Sequence, residues 1–318
     1  LAMQGFDLDR AQQSLDRALE IQPHHRESLL VKADLLLANF QVDEAIELLR
    51  KQAMPHYARE AECRGRLAAA YGFADGINDD HDPQQYSRMQ RVIDESRGFD
   101  LQPGPMHFTI GETFDLLRQY PRAAKHYAIA LEKSPQLIAT TGKLGMVQMR
   151  LGDETQARKL LEQSFEDDPF NVRVKNSLEV LDVLDGYAVL ETEHFVVKFD
   201  RWQDEVLAEF AAEYLEEHVY PQIVEQLGYE PQGKSLFEIF NRAKNTSGHG
   251  WFSARMVGLP FIGTVGACAG RMVALVSPGD MPEPYNWARV LKHEFVHVVN
   301  LQQTNFNIPH WYTAALAV

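Results

Sequence analysis

Two histidines four residues apart lie near the end of the chain, in the stretch VLKHEFVHVVN over residues 290–300. On a helix, side chains at this spacing point in nearly the same direction, so His293 and His297 can bind one metal ion. Glu294 lies about 100° around the helix, within reach of a water on that metal. Zinc lowers the pKa of such a water to about 7, and Glu294 can take its proton and pass it to a leaving amine. This chemistry is peptide-bond hydrolysis.

The alternative is a pair of hydrogen-bonded histidines in a buried helix that holds no metal. Residues 286–303 predict a long helix that is apolar on most sides. Histidine and glutamate side chains buried there without a partner would be costly, and a metal supplies the partner. The sequence therefore favours zinc as a cofactor. The longer pattern HExxHxxGxxH is excluded, because Asn300 and Gln303 occupy its last two defined positions.

The segments before this helix predict the elements that position it. YAVLETEHFVVKFD (187–200), SLFEIF (235–240) and RMVALVSP (271–278) are typical of strands, the first of a strand or a hairpin. Residues 203–228 predict a helix that Pro221 kinks or breaks. The order β, α, β, loop, β, α indicates an α+β domain over residues 185–318, of which the chain holds the first lobe.

The first half of the chain shows a repeated helical pattern. Pro135 and Pro169 are 34 residues apart, and each closes a segment in which large and small residues alternate at helical spacing. This pattern resembles the tetratricopeptide repeat, in which a small residue such as Gly111 on the first helix lets the second approach closely. Residues 1–184 are therefore expected to form an all-α repeat solenoid with a surface for a peptide or protein partner.

Composition excludes several classes of protein. The net charge of -14 and the pI near 5.3 argue against a surface for nucleic acid or anionic membrane. The two cysteines, Cys63 and Cys268, fall in different predicted domains, which argues against a disulfide framework. No apolar run is long enough to span a bilayer, and no signal peptide opens the sequence. The chain starts at Leu1 and stops at Val318 within an apolar stretch, as a soluble fragment or processed form would, so its compartment stays open.

The HExxH helix and the final segment together resemble gluzincin metallopeptidases, in particular bacterial ones in which a thermolysin-like domain follows tetratricopeptide repeats. In that family a second helix reads approximately W-x-x-E-G-L-A, and its glutamate is the third zinc ligand. Residues 311–317 fit this frame with Trp311, Leu316 and Ala317. The family also has a strand that lines the cleft and pairs with substrate, which would assign that role to residues 271–278; an ordinary core strand is the alternative.

The sequence departs from the family at the third ligand. Ala314 occupies the glutamate position, and its methyl group cannot bind zinc. An introduced substitution, natural loss in an inactive relative and a replacement ligand such as His310 are three explanations, of which the intact frame favours the first two. Zinc affinity should fall greatly, because catalytic zinc normally has three protein ligands.

The resemblance implies a multidomain protein, with an all-α repeat domain (1–184) before an α+β zincin-type domain (185–318) that is truncated at its C-terminus. It implies a zinc-dependent peptidase acting on peptides or proteins, and Ala314 predicts that this chain is inactive or nearly so. The alternative is a non-catalytic scaffold whose repeats bind a partner and whose peptidase-like domain is vestigial. A non-peptidase hydrolase with the same zinc chemistry is a third hypothesis.

Overall fold

The computed structural model describes residues 8–77, 87–98, 103–259 and 261–318. The chain divides into two compact units, Leu1–Thr140 and Thr141–Val318. The domain boundary that the sequence places after residue 184 stays a prediction. No helix in the described ranges is long and apolar enough to cross a membrane.

Helices make up the described part of the first unit. Short turns separate most of them, as repeat hairpins require. Their bounds are α1 (Leu8–Ile21), α2 (Arg26–Ala38), α3 (Val42–Leu48), α4 (Met54–Tyr57), α5 (Ala61–Ile77), α6 (Arg88–Ser96), α7 (Gly104–Leu116) and α8 (Tyr120–Lys133). The next helix, α9 (Ile138–Leu151), begins in the first unit and ends in the second.

The second unit combines helices with a sheet. It begins with helices of the repeat type and continues with alternating strands and helices. Their bounds are α10 (Glu154–Asp167), α11 (Val172–Leu184), β1 (Ala188–Glu191), β2 (Phe195–Phe199), α12 (Arg201–Tyr214), α13 (Tyr220–Leu227), β3 (Ser235–Phe240), α14 (Gly248–Val257), β4 (Gly266–Ala269), β5 (Met272–Val276), α15 (Trp287–Gln303) and α16 (His310–Leu316).

The repeat predicted from the sequence is present in the helices. The starts of α7 and α9 are 34 residues apart, and so are those of α8 and α10. A Cβ on Gly111 would lie 2.7 Å from the ring of Tyr127, and one on Gly145, a repeat later, 2.8 Å from Leu161. Glycine therefore allows the close helix contact that the pattern predicts.

The sheet is mixed and has the order β1-β2-β3-β5-β4. The strands β2, β3 and β5 are parallel to one another, whereas the edge strands β1 and β4 run antiparallel to their neighbours. The hairpin and the strands that the sequence predicts are confirmed. The assignment of residues 271–278 to a substrate-pairing edge is wrong, because β5 lies between β3 and β4; the edge strand comes from the glycine-rich segment that precedes it.

One face of the sheet holds the core against which the histidine helix packs. Phe195, Phe237 and Val273 belong to this core together with Phe295 of α15, and the ring of Phe195 packs edge-on against that of Phe295. The side chain of Asn286 accepts a hydrogen bond from the backbone N–H of Arg289 and starts α15. The predicted interruption at Pro221 is confirmed, since a π-helical turn separates α12 from α13, whose first turn holds the proline.

Candidate metal centre

The two histidines of α15 face each other through the nitrogens that a metal would use. The Nε2 atoms of His293 and His297 are 3.1 Å apart. Two nitrogens bound to a tetrahedral zinc ion at about 2.0–2.1 Å would be separated by about 3.3 Å. The separation is therefore compatible with zinc, and equally with a direct hydrogen bond between the two rings that involves no metal.

Both rings are held from behind by the end of the chain. Nδ1 of His293 lies 2.9 Å from the carbonyl oxygen of Ala317, to which its N–H can donate. Nδ1 of His297 lies 2.9 Å from Oγ1 of Thr313 on α16. Such partners of the distal ring nitrogen fix the orientation of a ligating histidine and leave Nε2 for the metal. Helix α16 and the residue that follows it thus orient the rings of both histidines.

Glu294 lies beside the pair and is nearly enclosed. Glu294 is 6% exposed, and burial raises the pKa of its carboxyl group to about 8. A Cβ on Gly266 of β4 would lie 3.1 Å from Oε1 of Glu294, so glycine lets the edge strand pass close to this carboxyl. A cation on the two imidazoles would favour the ionised form of Glu294.

An open cleft gives access to these groups. Its lining comes from residues 264–266 and from Arg289, Val290, His293 and Glu294. The first segment includes the start of β4, an edge strand of the sheet. The cleft therefore lies beside an edge strand of the sheet.

The third ligand is not supplied by the side chains that the structure describes. Ala314 lies on α16 next to Thr313 and offers no donor atom. His310 begins α16, but its side chain lies outside the described residues. Among described side chains, the group of three that could hold a metal is Glu193, His194 and Glu216, elsewhere in the unit.

The structure places His293 and His297 side by side, as the helical spacing predicts, and their role as metal ligands stays a prediction. The sequence did not identify the groups that contact the far nitrogens of the two rings. Thr313 falls inside the W-x-x-E-G-L-A frame, which was the available signal for a contact with His297. The contact of His293 with the carbonyl of Ala317 could not be predicted from residue type, because every residue has a backbone carbonyl oxygen. The position of Gly266 depends on the pairing of β4 with β5. The sequence of β4 has no strand-like alternation from which this pairing could be predicted.

Known proteins that resemble this chain include tetratricopeptide-repeat proteins. A crystal structure of a thermophilic tetratricopeptide-repeat protein from Thermus thermophilus aligns with a TM-score of 0.37 and 18% identity, over 58% of this chain and 96% of that one. No curated protein matches the chain. Residues 2–69 match the tetratricopeptide repeat family. The chain therefore carries tetratricopeptide repeats at its N-terminus.

Proposed function

We propose that this chain is a protein-interaction scaffold whose tetratricopeptide repeats bind a protein partner. The match of residues 2–69 to the repeat family carries the proposal. Stacked repeats bury their helix faces against one another and leave an extended surface for a partner. The stacking is visible between α2 and α5, where Arg66 donates to both oxygens of Asp34 at 2.8 and 2.9 Å.

Cross-linking in a native extract tests where the partner binds. A lysine-reactive reagent should join the partner to Lys32 on α2 or to Lys51, both within the matched repeats. A Lys32→Arg/Lys51→Arg variant keeps the charge and should co-purify with the same partner without these cross-links. A chain recovered alone, or a partner attached only to Lys292 beside the metal centre, would contradict the proposal.

The second candidate is a zinc-dependent peptidase of gluzincin type, which the geometry of α15 favours. The 3.1 Å separation of the Nε2 atoms supports His293 and His297 as the residues that would hold zinc. When bound, zinc supplies a polarised, more acidic water. Glu294 would accept the proton of that water and return it to the leaving amine, while Thr313 and the Ala317 carbonyl keep the rings oriented.

Ala314 determines which candidate applies to the chain as it stands. With two protein ligands instead of three, zinc should bind weakly and hydrolysis should be slow or absent. The Ala314→Glu variant should raise zinc from substoichiometric to about one ion per chain, measured by elemental analysis. Ala315→Glu is the matched control, since its exposed position on the same helix adds the same charge without facing the site.

The possible results of the zinc measurement distinguish the two candidate functions. Full zinc occupancy in the unchanged chain, with chelator-sensitive cleavage of casein, would support the peptidase and contradict the expectation of an inactive chain. Full occupancy and cleavage only in Ala314→Glu would identify a metallopeptidase domain that has lost its third ligand. No zinc in any variant would leave the scaffold as the function that the chain supports.

A further inference from the structure

Helix α12 exposes a strip of large apolar side chains. Trp202, Val206 and Phe210 follow one another at four-residue spacing and are 92%, 66% and 59% exposed. At this spacing, neighbours differ by about 40° around a helix and rise by about 6 Å, so they form one continuous surface. We call these three residues the α12 strip.

Packing within the unit does not account for this strip. The opposite face of α12 buries Ala208, Ala211 and Ala212 against the sheet. Leu207 and Tyr214 also pack against this core, so α12 contacts the sheet without any contribution from the three exposed residues. Single exposed apolar residues are common, but a contiguous row with two aromatics is typical of an interaction site.

A row of carboxylates runs beside the strip. Glu205, Glu209 and Glu213 are exposed and also spaced by four residues. Within the described part of the chain, Glu209 and Glu213 form no ion pair, and Glu205 lies 3.7 Å from Arg201. The face of α12 thus offers an apolar row and an acidic row side by side.

We propose that this face binds a basic amphipathic helix of a partner protein. Such a helix carries apolar residues at i, i+3, i+4 and i+7, which would cover the α12 strip, and flanking Lys or Arg residues, which would pair with the glutamate row. The net charge of -14 disfavours a second copy of this chain, and the same glutamates disfavour an anionic lipid surface. The α12 strip includes none of the residues that match the repeat family and none that line the candidate metal centre.

Binding of a defined peptide tests the proposal with the full chain. The probe is a labelled helical peptide of about 18 residues with Leu at the apolar positions and Lys beside them, followed by fluorescence anisotropy. Trp202→Ala and Phe210→Ala should each weaken binding about tenfold or more, as aromatic anchors do. The matched control is Phe170→Ala, which removes an apolar side chain that is 91% exposed elsewhere in the unit.

The contribution of the glutamate row to peptide binding is tested with a separate pair of variants. Glu209→Gln/Glu213→Gln should weaken binding several-fold and reduce its salt dependence, whereas Glu166→Gln/Asp167→Asn, with the same change in charge, should not. The proposal would be overturned if the variants of the α12 strip bound the peptide as tightly as the unchanged chain does. It would also be overturned if a peptide with Glu in place of Lys bound as tightly as the Lys peptide. It would also be overturned if Trp202→Ala abolished self-association in sedimentation, or binding to phosphatidylglycerol vesicles, instead of peptide binding.

Discussion

Asp204, at the start of α12, shows how burial sets the charge of a single residue. The residue is 3% exposed. Its carboxyl accepts hydrogen bonds from Oγ of Ser277 at 2.6 Å and from Nδ2 of Asn241 at 2.9 Å. Burial raises the pKa of Asp204, and the two hydrogen bonds offset only part of that rise. The folded protein therefore holds a proton on Asp204 more tightly than the unfolded chain does.

This difference predicts a pH dependence with a definite sign. Well below about pH 4, the ordinary pKa of aspartate, Asp204 is protonated in both states. As the pH rises through the raised folded pKa, the unfolded chain releases its proton first, and the free energy of unfolding falls. Urea unfolding at about pH 4 and pH 7 should show the unchanged chain losing stability relative to Asp204→Asn.

The exposed position Glu205 gives the control for this measurement. Glu205→Gln removes a carboxyl from the same helix without removing a buried one, so its stability difference from the unchanged chain should vary little with pH. The raised pKa of Asp204 would be contradicted if the stability difference between the unchanged chain and Asp204→Asn stayed constant with pH. It would also be contradicted if the unchanged chain became the relatively more stable one at higher pH.

At the scale of elements, a buried ion pair joins β3 to α14. Nε and Nη2 of Arg255 donate to the two carboxylate oxygens of Glu238 at 2.7 and 3.0 Å, and both side chains are 0% exposed. The two-point pairing offsets the cost of burying both charges, although Nη1 of Arg255 is buried without a hydrogen-bond partner among the described residues. It fixes the position of α14 on the face of the sheet opposite the core.

Breaking the pair from one side should be costly. Glu238→Ala leaves the Arg255 guanidinium buried and unpaired, and we expect it to lower the free energy of unfolding by about 3–5 kcal/mol. The double variant Glu238→Leu/Arg255→Met should lose less than this, because no isolated charge remains. Chemical denaturation measures both.

An exposed pair on the same sheet is the control. Glu191 and Lys234 are 3.0 Å apart with both side chains partly in solvent, and Glu191→Ala should change stability by less than about 1 kcal/mol. If Glu238→Ala cost no more than this, the buried pair would not be what holds α14 in place.

The elements differ in how well the sequence predicts them. The helix α15 and the strands β3 and β5 are long or apolar enough for their periodicity to identify them. The edge strand β4 has only Gly266, Ala267, Cys268 and Ala269, so side-chain pattern does not distinguish it from a loop. Gly266 is nevertheless required where β4 passes α15, because a Cβ there would lie 2.7 Å from Val290. Pairing with β5 is what makes the segment a strand. Strand order is therefore what the sequence could not provide.

At the scale of the whole molecule, the last repeat helices belong to the compact unit that contains the sheet. Nζ of Lys198 on β2 donates to both carboxylate oxygens of Glu154 on α10 at 2.7 and 2.8 Å. Nδ2 of Asn176 on α11 donates to the carbonyl of Gly258 after α14 at 3.0 Å. The helical period predicts that α10 and α11 form a hairpin, but it contains no information about which other elements they contact.

These contacts predict how the chain can be shortened. A fragment of residues 141–318 keeps α10 and α11 on the sheet and should unfold cooperatively on heating. A fragment of residues 185–318, cut at the boundary that the repeat pattern indicates, loses Glu154 and Asn176 and with them the hydrogen bonds to Lys198 and to the Gly258 carbonyl. We expect its Tm to be lower by at least about 5 °C, since each kcal/mol lost shifts the Tm of a domain of this size by a few degrees. Circular dichroism during heating measures both transitions, and equal values of Tm would show that the sheet is stable without the repeat helices.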